Sequence, residues 1–300
     1  RLLADTPSNQ KARPAGARCT RQITGYKKKG KIAFIGAGNM AGAFAGGLVS
    51  SGMAPSLVSL SAPHMEKLDA LRARLGVSVT TSNADNVRDA DTVVLAVKPQ
   101  VMEKCLTELM SEIGSMEGKL VISVAAGITV ERLSELLGGH RRIVRFMPNT
   151  PALIGRGMTG MFAAPGLGDD DLRTAEKIAS AAGKWVWVKT EDEINTVTAL
   201  SGSSPAYFFM IMEAMVEYGV SRGMDGKSAR DIVEGGAIGS ILLAEKSPEK
   251  TLAELREAVT SKGGTTFAAL EAFRKGNLPG TVKDGLKARE DRAAEMAKLF

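Results

Sequence analysis

Two stretches of this 300-residue sequence carry residue types and spacing that could do chemistry. In the first, Ile35-Gly36-Ala37-Gly38-Asn39-Met40-Ala41, Gly36 permits a tight turn and Gly38 lets the backbone approach a pyrophosphate. The small Ala41 lets a helix pack closely on the strand before it, with the phosphate at that helix's N-terminus. A glycine pattern alone is weak. Here a strand reads at residues 32–35, a helix of small residues at 40–49 and the next strand at 57–60, where a mononucleotide-binding unit needs them. The second stretch, Ser261-Lys262-Gly263-Gly264-Thr265-Thr266, precedes a helix start at Phe267. It offers bare N–H groups and two hydroxyls, the form of an anion site suited to a carboxylate. It reads equally as a glycine turn with a capping Thr, and the residues alone leave the two readings level.

The dinucleotide is chosen at the end of the second strand, where an acid about 20 residues past the glycines would hold the adenosine ribose diol. No Asp or Glu occurs from Asn39 to Met65; Ser59 and Ser61 offer hydroxyls there, with His64 and Lys67 just beyond. Nothing repels a 2′-phosphate, so NADP(H) is expected, with NAD(H) the weaker alternative.

Other chemistries lack their residues. Two cysteines, Cys19 and Cys105, exclude a disulfide framework and suit a reducing compartment, and neither His64 nor His140 has the i, i+3 or i+4 partner of a helical metal site. Neither a metal site nor a Ser-His-Asp triad is expected. The net charge of +6 invites a nucleic-acid reading, yet residues 1–30 carry +7 and the remainder −1. A nucleic-acid reader carries its basic patch on the folded body, so no nucleic-acid partner is expected. The basic leader reads as a transit peptide, a tail or an expression remnant, and all three stay open. The uncharged stretch 32–65 could pass for a membrane span on hydropathy, but its glycines and Asn39 break it into strand, turn, helix and strand. No membrane partner is expected. The protein is read as soluble and cytoplasmic, with an organelle the alternative if the leader is a transit peptide.

These sites need a scaffold. Short β-rich runs at 77–80, 92–97, 120–124 and 143–146 alternate with helical stretches at 66–75, 101–113 and 130–137. That alternation predicts an α/β fold, a Rossmann-type doubly wound parallel sheet with right-handed crossovers. Two further strands at 158–163 and 185–188 flank an acid-started helix at 169–182, and strand signals stop after Lys189. The expected domains are a leader at 1–30, a dinucleotide-binding domain at 31–190 and a helical domain at 191–300. Ligands sit at the carboxyl ends of parallel strands. Asn83, Ala96, Val97, Lys98, Pro99, Ala126 and Gly127 lie at such ends and join Ile35, Gly36, Ala37, Gly38, Asn39, Met40 and Ser61 as candidate cofactor contacts, though Val97 and Ala126 also read as plain packing residues. The helix through Tyr207, with Phe208, Phe209, Met210, Met212 and Met215, is apolar all round and must be buried on all sides. Its own domain or a second copy could cover it, and a homodimer interface is favoured.

Six segments together resemble the pyrroline-5-carboxylate reductases, from residue 31 to the end. They are Phe34-Ile-Gly-Ala-Gly-Asn-Met-Ala41, Ala96-Val-Lys-Pro99, Ala125-Ala-Gly127, Met147-Pro-Asn-Thr-Pro151, Leu200-Ser-Gly-Ser-Ser-Pro-Ala-Tyr207 and Arg256-Glu-Ala-Val-Thr-Ser-Lys-Gly-Gly-Thr-Thr266. The resemblance implies a Rossmann domain followed by an all-helical dimerisation domain that interlocks with its mate. The activity it implies is reduction of 1-pyrroline-5-carboxylate, a cyclic imine carboxylate, to L-proline with NAD(P)H, the last step of proline biosynthesis. It further implies that Ser261, Gly263, Gly264 and Thr265 hold the substrate carboxylate and that the Thr266 hydroxyl reaches the ring nitrogen as the catalytic group. Glu191 matches a residue near the substrate; its plain reading is a first-turn helix acid. For residues 147–151, nicotinamide contact and turn-shaping stay level, and a higher ring of dimers stays open.

Two residues depart from the family's pattern. Ser204 stands where the family has Gly and reads as an N-cap, and Lys262 replaces a Pro and adds a cation to the loop. Two rivals are weaker. A 3-hydroxyacid dehydrogenase of the 6-phosphogluconate type would need a lysine that does not occur between Ser203 and Gly226, and a non-catalytic NADP-binding sensor leaves residues 263–266 unexplained.

Overall fold

A computed structural model of the chain describes residues 30–297, and the basic leader read at 1–30 lies outside them except for Gly30. The chain divides after Thr198 into a first unit and a second, Ala199–Glu295.

The first unit alternates strand and helix: β1 (Ile32–Ile35), α1 (Asn39–Ser50), β2 (Val58–Ser61), α2 (Met65–Leu75), β3 (Ser78–Thr80), α3 (Asn83–Arg88), β4 (Thr92–Leu95), α4 (Pro99–Ile113), β5 (Leu120–Ser123), α5 (Val130–Leu136) and β6 (Ile143–Met147). It ends with β7 (Gly157–Ala163), α6 (Asp169–Ser180), β8 (Gly183–Trp187) and α7 (Glu193–Val197). The strands form one sheet in the order β3-β2-β1-β4-β5-β6-β7-β8. β1 to β6 are parallel, so their carboxyl ends share one edge, where Thr80, Ser61, Ile35, Leu95, Ser123 and Arg145 stand in register. Strand order reverses between β1 and β4, which makes the crevice above them the expected ligand position.

Strict alternation of apolar side chains winds this sheet doubly. Ile32, Phe34, Val94, Ile122, Val144 and Phe146 face a core completed by α1, α2 and α6, whereas Ala33, Ile35, Val93, Leu95, Val121 and Ile143 face one completed by α3, α4 and α5. Phe34 and Phe44 are wholly buried in the first core, each contributing roughly 1.5–3 kcal/mol of apolar burial.

One expectation is corrected. β7 runs antiparallel to β6, with Arg145 opposite Phe162. Only residues 148–156 join the two strands, and a parallel pair needs a crossover of a dozen residues or more. β8 then returns parallel to β7 after α6.

The second unit is helical: α8 (Ser204–Ser221), α9 (Gly226–Lys246), α10 (Leu252–Ala258), α11 (Thr265–Lys275) and α12 (Leu278–Ala297). A π-helical turn, Thr198–Gly202, leads into α8. α8 has no buried residue; Phe209 and Met210 are 65% and 74% exposed in the single chain, and Ile238, Ile241 and Leu243 of α9 are exposed too. An apolar surface of this extent marks an interaction face.

Candidate active site

At the switch point the β1 turn is clamped from both sides. The Gly36 N–H donates to the Ser61 carbonyl at 2.7 Å, and the Ala96 N–H donates to the Ile35 carbonyl at 2.8 Å. Gly36 holds φ +111°, and a Cβ there would stand 2.5 Å from the Ala96 carbonyl oxygen. Ala41 is buried against the strand, as the spacing requires.

The start of α1 is bare. Its N-cap, Gly38, is extended at φ −80° and ψ −176°; no side chain caps the helix and no acid sits in its first turn. Nothing lies within 4 Å of where a Gly38 Cβ would be, and Gly38 and Asn39 are exposed. Five other helices of the chain satisfy the same need themselves. Ser82, Thr129, Asp225 and Thr251 cap α3, α5, α9 and α10, and α6, which also follows a glycine, carries Asp169, Asp170 and Asp171 in its first turn. Free N–H groups, positive dipole and open space together fit a dinucleotide's diphosphate.

Ala37 and Met40 flank this turn, half-buried. Across the switch point, Ala96 and Val97 follow the end of β4; Lys98 is the extended N-cap of α4 and Pro99 its first residue. After β5, Ala126 is exposed and Gly127 turns at φ +79° with open space around it. All of these lie on the carboxyl edge.

The Ser61 side chain turns into the interior of the unit, contrary to expectation. It is completely buried, and its Oγ donates to Asn83 Oδ1 at 2.7 Å while accepting from Asn86 Nδ2 at 3.0 Å. Asn86 Nδ2 also donates to the Phe34 carbonyl at 2.9 Å. β2 is an interior strand of a sheet covered on both faces, so its side chains turn into the cores; Ser59 is buried as well. His64 and Lys67, at the start of α2, are exposed. Asn83 is half-buried; its Nδ2 donates to Cys105 Sγ at 3.4 Å, leaving one amide hydrogen for a ligand. Burial, and then nearby Glu108, pushes the Cys105 thiol up, so it stays an uncharged partner at neutral pH.

For residues 147–151, the geometry favours turn-shaping. Asn149 Oδ1 accepts the Met158 N–H at 2.8 Å and pins the turn to β7, with Asn149 itself buried.

Glu191 departs from its plain reading as a first-turn helix acid. It precedes α7 rather than lying in its first turn, and its Oε1 accepts from Arg145 Nη1 at 2.6 Å and from the Val130 N–H at 2.7 Å. That one oxygen is committed within the first unit. Sequence reasoning missed Arg145, although a lone charge in the middle of an apolar strand run was a signal that could have found it.

In the second unit, Gly263 turns at φ +73°, and Gly264 is the N-cap of α11 at φ −79° and ψ 177°, a near copy of Gly38. Again no side chain caps the helix and its first turn has no acid. The Gly264 N–H donates to the Ser261 carbonyl at 3.0 Å and closes the turn, and a Gly264 Cβ would stand 2.5 Å from Ser261 Oγ, so a side chain there would displace that hydroxyl. Thr265 and Thr266 are the first two residues of α11, past the cap position. Among the described residues the Thr266 hydroxyl makes no hydrogen bond, which removes the capping reading. Lys262 is exposed beside the turn.

Ser204 is not an N-cap either. Ser203 holds that position, accepting from Arg289 Nε at 3.2 Å, while Ser204 Oγ donates back to the Ser201 carbonyl at 3.1 Å.

Comparison with known proteins agrees with this layout. Residues 191–296 match the family model described as pyrroline-5-carboxylate reductase dimerisation, and residues 31–127 match that described as NADP oxidoreductase, coenzyme F420-dependent. A pyrroline-5-carboxylate reductase of Vibrio alginolyticus is 43% identical over 90% of this chain and 98% of its own length. That of Haemophilus influenzae is 41% identical with the same coverage. The solved structure of a pyrroline-5-carboxylate reductase from Coxiella burnetii is 39% identical, with a TM-score of 0.84 over 89% of this chain and 98% of that one. One from Plasmodium falciparum, solved with NADP bound, is 25% identical with a TM-score of 0.78 over 90% and 99%.

Proposed function

The chain belongs to the pyrroline-5-carboxylate reductase family, and from that premise we propose how its residues divide the reduction. The reaction is that of 1-pyrroline-5-carboxylate to L-proline with NAD(P)H, and the enzyme is a dimer through its helical domain. We assign the domains as a dinucleotide-binding domain at 31–190 and a helical substrate and dimerisation domain at 191–300.

The observation that carries the assignment is the pair of bare, glycine-capped helix starts. Gly36, Ala37, Gly38, Asn39 and Met40 hold the diphosphate of NADP(H), with Asn83, Ala96, Val97, Lys98, Pro99, Ala126 and Gly127 along the same edge. Ser61 shapes that edge from below. Bound NADPH supplies the hydride, which goes to the C5 carbon of the imine. The N–H groups of Thr265 and Thr266 receive the substrate carboxylate, helped by the Ser261 hydroxyl and the α11 dipole. The Thr266 hydroxyl donates a hydrogen bond to the ring nitrogen as a lone pair develops there, and the proton that the nitrogen carries at the end comes from solvent. No covalent nucleophile is needed, so the protein contributes position, exclusion of water and this one hydrogen bond. Glu191 we assign to holding the first unit together rather than to the substrate.

No helix among the described residues is long and apolar enough to cross a membrane, and a cytoplasmic site of action fits the scarcity of cysteine. A ring of dimers is the larger assembly proposed, to be read as a solution mass that is a multiple of the dimer's. The activity is tested by following NADPH consumption with pyrroline-5-carboxylate. Turnover to proline is expected, and oxidation of a 3-hydroxyacid with none of it would favour the dehydrogenase rival.

A further inference from the structure

β6 carries one charge, Arg145, on the face it shares with Ile143, and that side chain is only 7% exposed. A single oxygen, Glu191 Oε1, receives both the Arg145 guanidinium and the backbone N–H of Val130. Val130 is the first residue of α5, separated only by Ile128 and Thr129 from the turn that holds Ala126 and Gly127. Thr129 caps α5 by accepting the Arg132 N–H, which leaves the Val130 N–H for Glu191. The carboxylate therefore joins three places: the end of β6, the start of α5 and the entry to α7.

A buried ion pair is a poor source of stability, since apolar residues of similar volume serve as well or better. What this one supplies is geometry. We propose that Arg145 is a positioning residue for the reduction, holding through Glu191 the start of α5, and with it the turn of Ala126 and Gly127, in place at the cofactor edge. The inference rests on the assignment of that turn to the cofactor.

Two variants separate positioning from stability. Val130→Pro removes the one N–H that links Glu191 to α5 and leaves the ion pair intact. Proline is favoured at a first helical position, and Thr129 already has the extended backbone a following proline needs. Its Tm is expected to stay within a few degrees of the parent while kcat falls about fivefold or more and KM for NADPH rises. Arg145→Met/Glu191→Met replaces the pair with apolar side chains; its Tm is expected to stay near the parent's while kcat stays about tenfold down. KM for pyrroline-5-carboxylate should stay within about twofold in both. Parental kcat and NADPH KM in Val130→Pro overturn the proposal, as does a double variant as active as the parent. The underlying assignment fails separately: Ala126→Glu should raise KM for NADPH, and an unchanged value would remove that turn from the cofactor site whatever the other variants do.

Discussion

The Cβ that Gly36 lacks would stand 2.5 Å from the carbonyl oxygen of Ala96, so the first and fourth strands close on each other over a glycine. Gly38, two residues on, has open space instead. The two glycines therefore make different forecasts. Gly36→Ala combines that clash with a backbone at φ +111° and should lose about 1–3 kcal/mol of stability or more, seen as a lowered Tm. Gly38→Ala should keep its Tm within a few degrees, because φ −80° suits any residue, and raise KM for NADPH about tenfold by intruding on the diphosphate. Equal Tm losses in both variants would show that the turn is only structural.

Cofactor choice follows from the acid-free end of β2. kcat/KM for NADPH should exceed that for NADH, and Ala62→Asp, which puts an acid one residue past the end of β2 as a ribose-diol partner, should reverse the preference. Ser61→Ala makes the complementary case: it strips a partner from Asn83 and Asn86 and should cost roughly 1–3 kcal/mol of stability without changing the preference. An NADH preference in the parent, or a Ser61→Ala enzyme of parental stability with altered preference, would contradict this.

We assign the exposed apolar surface of α8 to the dimer interface. Phe209→Glu or Met210→Glu would bury an unpaired carboxylate in that interface, so sedimentation should find monomers at concentrations where the parent is dimeric. The first unit should still bind NADPH, measured by quenching of its tryptophans, Trp185 and Trp187.

What the sequence made legible, and what it hid, divides by the range of the interaction. Gly36, Gly38 and Ala41 were readable because their roles depend on their own backbone and a few residues either side. Residues 32–35 were readable as a strand because a short apolar run stands directly ahead of the glycine turn. The direction of β7 was not, since alternation is the same up or down a strand; only the shortness of residues 148–156 sets it. Ser61 looked available because a hydroxyl at a strand end is polar, but its place between β1 and β3 turns it inward toward Asn83 and Asn86. Glu191 and Arg145 lie 46 residues apart, and no local pattern announces such a pair. Thr266 was legible as a residue type at a helix start; that Gly264, not a threonine, holds the cap position needed the backbone.

The central claim is most directly tested at Thr266. Its hydroxyl lies in the first turn of α11 with no partner among the described residues, so removing it should cost catalysis and not stability. Thr266→Val keeps the shape and deletes the hydroxyl. Loss of one preorganised donor to the ring nitrogen is worth about 2–4 kcal/mol in the transition state, so kcat with pyrroline-5-carboxylate and NADPH should fall roughly 30-fold or more. KM for NADPH should barely move and Tm should stay within a few degrees of the parent. A Thr266→Val enzyme that melts lower but turns over at nearly the parental rate would contradict the account, making the hydroxyl a structural group and leaving the reduction without its proposed donor.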